Sequence, residues 1–182
     1  MKTVVITGGP GTGKTSIIKL LAKRFPVIKE SARLVLARNK MFRGKNAIQA
    51  KGKNFQEAIW DLEVKHYMKA LLLRNERLVF FDRGFFDGFA YSALSRLNGL
   101  QSRVMQGRLL HYDYVFIIDP LPKSLYSTDE KRKETYPEAL KIHKIIEKMY
   151  RKYGYKPIHV PFDTVENRVK FIVRKLHAPY FS

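Results

Sequence analysis

The N-terminal segment contains a glycine-rich run whose residue types and spacing suit a nucleoside triphosphate. Residues 8–15 read Gly-Gly-Pro-Gly-Thr-Gly-Lys-Thr and meet the pattern G-x-x-x-x-G-K-[ST]. Glycines in such a loop let backbone N–H groups converge on phosphate oxygens without Cβ clashes. We expect Lys14 to reach the β- and γ-phosphates of ATP and the Thr15 hydroxyl to bind Mg²⁺. The predicted nucleotide-binding residues are Gly9, Pro10, Gly11, Thr12, Gly13, Lys14, Thr15 and Ser16.

The sequence on either side of this loop predicts the elements that the loop requires. Residues 3–7 form an apolar run of strand length, and residues 16–23 have the composition of a helix. The N-terminus of such a helix carries unpaired N–H groups and the positive end of the helix dipole. A strand–loop–helix unit of this kind predicts a phosphate-binding site.

A magnesium–triphosphate site also needs a carboxylate at the end of a neighbouring strand. Two candidates follow apolar runs, Asp82 after residues 78–81 and Asp119 after residues 115–118. In the strand order 2-3-1-4-5 the third strand lies beside the loop-bearing first strand, which favours Asp82 as metal organiser or general base. Asp119 precedes Pro120 and suits a turn at the end of a strand.

Three charged side chains are expected to face the phosphoryl acceptor. Glu30 follows the second apolar run, at the rim where open α/β sheets bind ligands, and can accept hydrogen bonds from a hydroxyl or help to hold magnesium. Arg33 can hold an anion, and Arg83 follows Asp82 directly. Glu30 and Arg33 also suit a helix cap with a surface ion pair, and that alternative remains open.

A charged insertion, approximately residues 120–137, is predicted to form a closing lid. Small-molecule kinases place such a lid after the fourth strand, where an arginine can stabilise the transferred phosphoryl group. We expect Arg132 to take this role, although Lys131 and Lys133 are its neighbours and a charged run can also be a solvated surface.

Five apolar runs of strand length alternate with helical patterns along the chain. This alternation predicts a three-layer α/β fold with a five-stranded parallel sheet. The order 2-3-1-4-5 and the helical lid are expected because they are usual in nucleotide kinases with such a loop. No linker or repeat divides the 182 residues, so we expect a single nucleotide-binding domain over residues 1–182.

The composition narrows the environment and raises a question about partners. The chain has no cysteine, no apolar run long enough to span a bilayer and no signal-peptide pattern at its start, which favours a cytoplasmic protein. Its net charge is +19, and residues 29–53 carry eight basic residues against the single acid Glu30. Such an excess fits a nucleic acid partner, a multiply phosphorylated ligand or a solvated basic surface.

The motifs together resemble the small P-loop AAA-domain ATPase/kinase family, which includes the ribosylnicotinamide kinase-like domains of bacterial NAD biosynthesis proteins. The resemblance is carried by the strings ITGGPGTGKTS, VIKESAR, FFDRGFFDG, DEKRKET and VPFDTVENRVKFI. It implies that Lys14, Thr15 and Asp82 lie in the triphosphate site and that Glu30, Arg33 and Arg83 face the acceptor. It also implies that residues 160–164 pass near the adenine.

Three functions remain open on the sequence. The leading hypothesis is an ATP- and magnesium-dependent phosphotransferase acting on a small, nucleoside-like metabolite. The second is a nucleic-acid-linked ATPase or polynucleotide kinase, and the third is a nucleotide-dependent regulatory module. A ring-forming AAA+ motor is disfavoured because Arg83, not a water-activating glutamate, follows Asp82. A GTPase is disfavoured because the chain has no Asn-Lys-x-Asp string.

Overall fold

The computed structural model describes residues 1–38, 40–42, 52–73, 75–97, 101–127 and 134–177. Within these ranges the chain forms one sheet surrounded by helices. The strands are β1 (Lys2–Thr7), β2 (Val27–Ile28), β3 (Leu78–Asp82), β4 (Tyr114–Ile118) and β5 (Ile158–Val160). The helices are α1 (Lys14–Leu21), α2 (Ser31–Arg38), α3 (Lys53–Leu71), α4 (Asp87–Leu94), α5 (Gln101–Leu109), α6 (Tyr136–Lys152) and α7 (Val165–Lys175).

The sheet is parallel and has the order β2-β3-β1-β4-β5, which confirms the predicted fold class. β1 lies in the centre, with Ile6 opposite Asp82 of β3 and Thr7 opposite Ile117 of β4. The carboxyl ends of the strands meet at one edge of a parallel sheet, and that edge carries the loops of the site.

Two separate hydrophobic cores cover the two faces of the sheet. Val5, Val79 and Phe81 belong to one core, whereas their neighbours Val4 and Phe80 belong to the other. This alternation is the period of two expected when both faces of a strand are buried. Helices α3, α4 and α6 supply residues to the first core, and α1 and α7 supply residues to the second, so the fold has three layers.

Local signals explain where the helices near the site begin. Thr135 caps α6 through a capping box with Glu138, and Pro137 lies in its first turn. Thr164 caps α7 by accepting a hydrogen bond from the Asn167 N–H. None of the helices in the described ranges is long and apolar enough to cross a membrane.

Two predicted segments lie partly outside the described residues. The lid at residues 120–137 is described at 120–127, which include a short 3₁₀ turn (Lys123–Leu125), and at 134–137, where α6 begins. Arg132 lies outside the described residues, as do Asn39 and residues 43–51 of the basic segment.

Candidate active site

The glycine-rich loop joins the end of β1 to the start of α1 at the carboxyl edge of the sheet. Gly13 immediately precedes α1 in the left-handed region at φ 85°, and no side chain caps the first turn of α1. Ser16 and Ile17 donate their N–H groups to the Gly13 carbonyl, which leaves those of Lys14 and Thr15 to an anion, as the phosphate-loop pattern predicts. Thr15 and Ser16 are exposed at this helix end.

Gly11 requires its lack of a side chain for two reasons. It adopts φ 69°, and a Cβ at this position would overlap the ring of Tyr126 from the segment after β4. The Tyr126 hydroxyl donates a hydrogen bond to the Glu134 carbonyl, and its ring contacts that of Tyr136 with a centroid distance of 5.3 Å. The described ends of the lid segment therefore pack directly on the phosphate loop.

Lys14 is buried inside the loop, with 8% of its surface exposed. Its ammonium group donates hydrogen bonds to the carbonyls of Gly8 at 2.8 Å and Gly9 at 2.7 Å, and to the Thr12 hydroxyl at 3.2 Å. Burial, followed by the charge of Arg83, lowers the Lys14 pKa to about 7, although nearby carboxylates oppose this shift. A cation held this way is desolvated before any ligand arrives, which strengthens its interaction with a phosphate.

Asp82 ends β3 directly beside the loop-bearing strand, as its pairing with Ile6 shows. Burial and then the charge of Glu30 raise its pKa, whereas Arg83 and Lys14 lower it. The Asp82 carboxylate is thus close to both acidic and basic side chains at the carboxyl edge of the sheet. Carboxylate and hydroxyl oxygens are ligands that suit Mg²⁺, which takes few protein ligands because phosphates and water complete its octahedron. Thr15 and Asp82 fit that requirement.

Glu30 and Arg83 form the centre of an ion-pair network just after β2 and β3, on the side that the sequence predicts to face the acceptor. Arg83 Nε lies 2.9 Å from Glu30 Oε1, and Arg33 Nε lies 2.7 Å from Glu30 Oε2. Although burial raises the Glu30 pKa, the charges of Arg83, Arg33 and Lys14 outweigh burial and hold that pKa below its ordinary value. Arg33 also approaches the Thr15 hydroxyl at 3.5 Å, so the acceptor-side residues adjoin the phosphate loop.

Asp87 anchors this network, although it is not among the residues predicted from the sequence. It is 3% exposed at the start of α4 and accepts hydrogen bonds from Arg83 Nη1 at 2.9 Å, the Thr7 hydroxyl at 2.6 Å, the Tyr150 hydroxyl at 2.7 Å and the Gly84 N–H at 3.1 Å. These contacts join β1, the turn after β3 and α6. The helical rule for residues four apart does not apply to Arg83 and Asp87, because Arg83 precedes α4 and adopts φ 71°, so the sequence carried no local signal for this contact.

A second buried carboxyl group, Glu63 of α3, lies behind Glu30. Burial, with a hydrogen bond from Ser31 opposing it and the charges of Asp87, Glu30 and Asp82 adding to it, raises its pKa to about 8. The Ser31 hydroxyl is also 3.0 Å from His66 Nδ1. This polar chain connects the start of α2 to α3 on the inner wall of the acceptor side.

The predicted site residues therefore fall into one cluster wherever the structure describes them. The loop residues 9–16 and Asp82 lie at the same edge as Glu30, Arg33 and Arg83, and Arg132 lies outside the described residues. The rival candidate Asp119 has a separate set of contacts, because its carboxylate lies 2.8 Å from His159 Nδ1. Among described residues, His, Asp and Glu side chains form no cluster of three or more suited to a metal ion.

Fold and site define the class of protein as a P-loop domain of the nucleotide-kinase type. The model of the family described as AAA domain matches residues 3–168, which is most of the chain. The protein belongs to this family. No curated protein sequence matches the chain.

Several solved structures share the fold. NadR in complex with NAD and AMP-PNP aligns over 100% of this chain and 51% of its own, with a TM-score of 0.71 and 14% identity. Deoxyadenosine kinase from M. mycoides with bound dATP aligns over 98% and 100%, with a TM-score of 0.65 and 17% identity. Thymidylate kinase from Ehrlichia chaffeensis aligns over 96% and 98%, with a TM-score of 0.62 and 16% identity. The chain spans about half the length of NadR and nearly the whole of the two smaller kinases.

Proposed function

We propose that this protein transfers the γ-phosphoryl group of ATP to a hydroxyl group of a small metabolite, with residues 1–182 acting as a single catalytic domain. The observation that supports this most strongly is the position of Glu30 and Arg83. Their ion pair lies at the carboxyl edge of the sheet beside the phosphate loop, and Arg83 Nη1 donates to the Gly8 carbonyl at 3.2 Å. An acceptor-side network in direct contact with a phosphate loop suits transfer to a bound molecule better than simple hydrolysis.

The roles of the loop residues follow from their contacts. The backbone N–H groups of residues 11–15 and the Lys14 ammonium stabilise the β- and γ-phosphates. Thr15 and Asp82 would hold Mg²⁺, which would neutralise charge on the same phosphates. Lys14 exchanges its contacts with the Gly8 and Gly9 carbonyls and the Thr12 hydroxyl for phosphate oxygens, and its burial makes it a desolvated cation for the charge of the transition state.

Glu30 is the residue we assign to the attacking hydroxyl. Its carboxylate is kept ionised by Arg83 and Arg33, so it can accept a hydrogen bond from that hydroxyl and orient the oxygen toward the γ-phosphorus. The new bond forms between this oxygen and phosphorus as the bond to the β–γ bridging oxygen breaks, and ADP leaves. The hydroxyl proton passes to Glu30.

The charges on the acceptor side favour a hydroxyl over a phosphate as the attacking group. Arg83 is occupied by Glu30, Asp87 and the Gly8 carbonyl, and Arg33 is paired with Glu30. A phosphate acceptor needs cations with free donors, such as a bidentate arginine. Both arginines are already neutralised by carboxylates, so the wall suits an uncharged acceptor that donates hydrogen bonds, as a nucleoside does.

ADP release tests this proposal with a panel of nucleosides, other ribosides and nucleoside monophosphates. We expect at least one hydroxyl acceptor to raise turnover above the rate of the protein alone and the monophosphates to leave that rate unchanged. Lys14→Ala should abolish the stimulated rate, whereas Lys19→Ala, an exposed lysine on the same helix, should retain it. If no acceptor stimulates turnover, the kinase proposal is wrong. An oligonucleotide in the same panel tests the polynucleotide alternative.

A further inference from the structure

Arg168 of α7 is a buried cation that the roles described so far do not use. It is 3% exposed, although α7 is otherwise an amphipathic helix whose buried residues are Val169, Ile172 and Val173. Arginine is rarely this buried unless it is paired. The groups around Arg168 must therefore explain why its guanidinium is buried.

The guanidinium of Arg168 connects three loops through their backbone carbonyls. Nη1 donates to the Thr12 carbonyl of the phosphate loop at 2.8 Å, Nη2 donates to the Asp119 carbonyl after β4 at 2.6 Å, and Nε donates to the Pro161 carbonyl after β5 at 3.0 Å. It thus joins the phosphate loop to the two strand ends on that side of the sheet.

All three acceptors are neutral, and this leaves the charge of Arg168 without a direct counterion. Among the described residues, its nitrogens form no ion pair at 4.0 Å or less. Burial lowers its pKa, and the more distant carboxylates of Asp119 and Asp163 only oppose that effect. A buried charge without a partner is costly, so an anion bound nearby would stabilise this part of the fold. The adjacent anion site is the phosphate loop, because a Cβ on Gly13 would lie 3.4 Å from Arg168 Nη1.

We propose that Arg168 is a positioning residue for the nucleotide phosphates, which it serves through the Thr12–Gly13 peptide and through its own uncompensated charge. This proposal rests on the proposed binding of ATP at residues 9–16. In a trans peptide the C=O and N–H groups point in opposite directions. Because Arg168 Nη1 holds the Thr12 carbonyl, the Gly13 N–H of the same peptide is directed away from the guanidinium.

The test compares binding of ATP and of adenosine to the intact chain. Arg168→Met keeps a similar length but removes the donors and the charge, and Arg168→Lys keeps the charge but cannot contact three carbonyls at once. Arg174→Met removes an exposed arginine from the same helix and is the matched control. Isothermal titration gives the Kd values, and thermal unfolding shows whether each variant is folded.

We expect Arg168→Met to raise the Kd for ATP by about 10–100-fold, the usual range for losing hydrogen bonds from a charged group, and to change the Kd for adenosine by less than about threefold. The Kd of Arg168→Lys for ATP should lie between those of Arg168→Met and the wild type.

A folded Arg168→Met protein with unchanged ATP affinity would overturn the proposal. Equal losses for ATP and adenosine would also overturn it, because the residue would then support the fold and not the phosphates. If Arg168→Met does not fold, the change in Kd for ATP is compared with that for adenosine in Arg168→Lys, and the same outcomes decide. Wild-type protein that fails to bind ATP refutes nucleotide binding itself, which distinguishes the two failures.

Discussion

Replacing Asp87 with alanine removes the acceptor for four hydrogen bonds at once. Two of the donors, the Thr7 and Tyr150 hydroxyls, belong to residues with 0% exposure, so water cannot easily replace the carboxylate. The third donor is the partly buried Arg83, which would lose one of its two carboxylate partners and keep Glu30. Each buried donor left without an acceptor is destabilising, and the arginine most of all.

The magnitude follows from the loss of one partner of a buried ion pair. We expect Asp87→Ala to lower the free energy of unfolding by about 3–5 kcal/mol. For a chain of this size that corresponds to a fall in Tm of roughly 6–20 °C, at about 2–4 °C per kcal/mol. Tyr150→Phe removes a single hydrogen bond, and we expect it to cost about 1 kcal/mol.

Urea unfolding of both single variants and the double variant measures these quantities. Because Asp87 and Tyr150 are in contact, the double variant should lose less free energy of unfolding than the two single losses added together, by about 0.5–3 kcal/mol. Asp87→Asn keeps the shape and one acceptor oxygen, so it should lower the free energy of unfolding by less than Asp87→Ala does. A loss below about 1 kcal/mol for Asp87→Ala would refute the view that this carboxylate anchors the network.

Three further outcomes follow from the site. Lys14→Ala should reduce acceptor-stimulated ADP release by at least about 100-fold, since preorganised cations on the phosphates contribute several kcal/mol to phosphoryl transfer; turnover within tenfold of the wild type would contradict that role. Glu63 should make the fold less stable as pH rises, because its pKa in the folded state, about 8, exceeds the ordinary 4.5 and the folded state therefore binds more protons between these values. Glu63→Gln should accordingly be more stable than the wild type at pH 7 by up to about 3 kcal/mol, but not at pH 4.5. Urea unfolding at both pH values measures this difference. A gain in stability that is independent of pH would exclude titration of Glu63 as the cause. Gly11→Ala should weaken ATP binding by roughly tenfold, because alanine disfavours φ 69° and its methyl group overlaps Tyr126. Alanine at the exposed Lys19 of α1 is the control and should have a smaller effect, and equal affinities of both variants in a titration with ATP would contradict the described packing.

Much of the fold could be predicted because its signals are local. Each of the five apolar runs became a strand, and the strand order is the one usual for nucleotide kinases, which the sequence itself does not encode locally. The cap at Thr164 and the proline in the first turn of α6 are local signals of the same kind, since a helix end depends on a few consecutive residues.

The inner wall of the site could not be predicted because its residues are polar and buried. On α3 the apolar Leu71 is 38% exposed, whereas the buried face includes Gln56 and Glu63. On α6 the buried residues include Ile146 and Tyr150, whereas the neighbouring Ile145 and Met149 are only partly buried. Hydrophobicity alone cannot reveal a buried polar group whose partners lie on other elements.

Arg168 shows the same difficulty over a longer distance. In the sequence it is one of several basic residues on α7, and its three acceptors lie 156, 49 and 7 residues away. Only the folded chain brings these carbonyls together. The role of Asp87 is hidden in a similar way, because Thr7 and Tyr150 are 80 and 63 residues from it.

The central place of β1 in the sheet also constrains how this protein is made. Of the five strands β1 is synthesised first, but it pairs with Leu78 and its neighbours on one side and with Tyr114 and its neighbours on the other. Such distant pairings form slowly, because long segments of chain must be brought together before any contact stabilises them. On a ribosome, the glycine-rich loop emerges long before either supporting strand, and the acceptor-side network forms only after Tyr150 has emerged. The nascent chain should therefore gain affinity for nucleotide only after β3 and β4 have emerged.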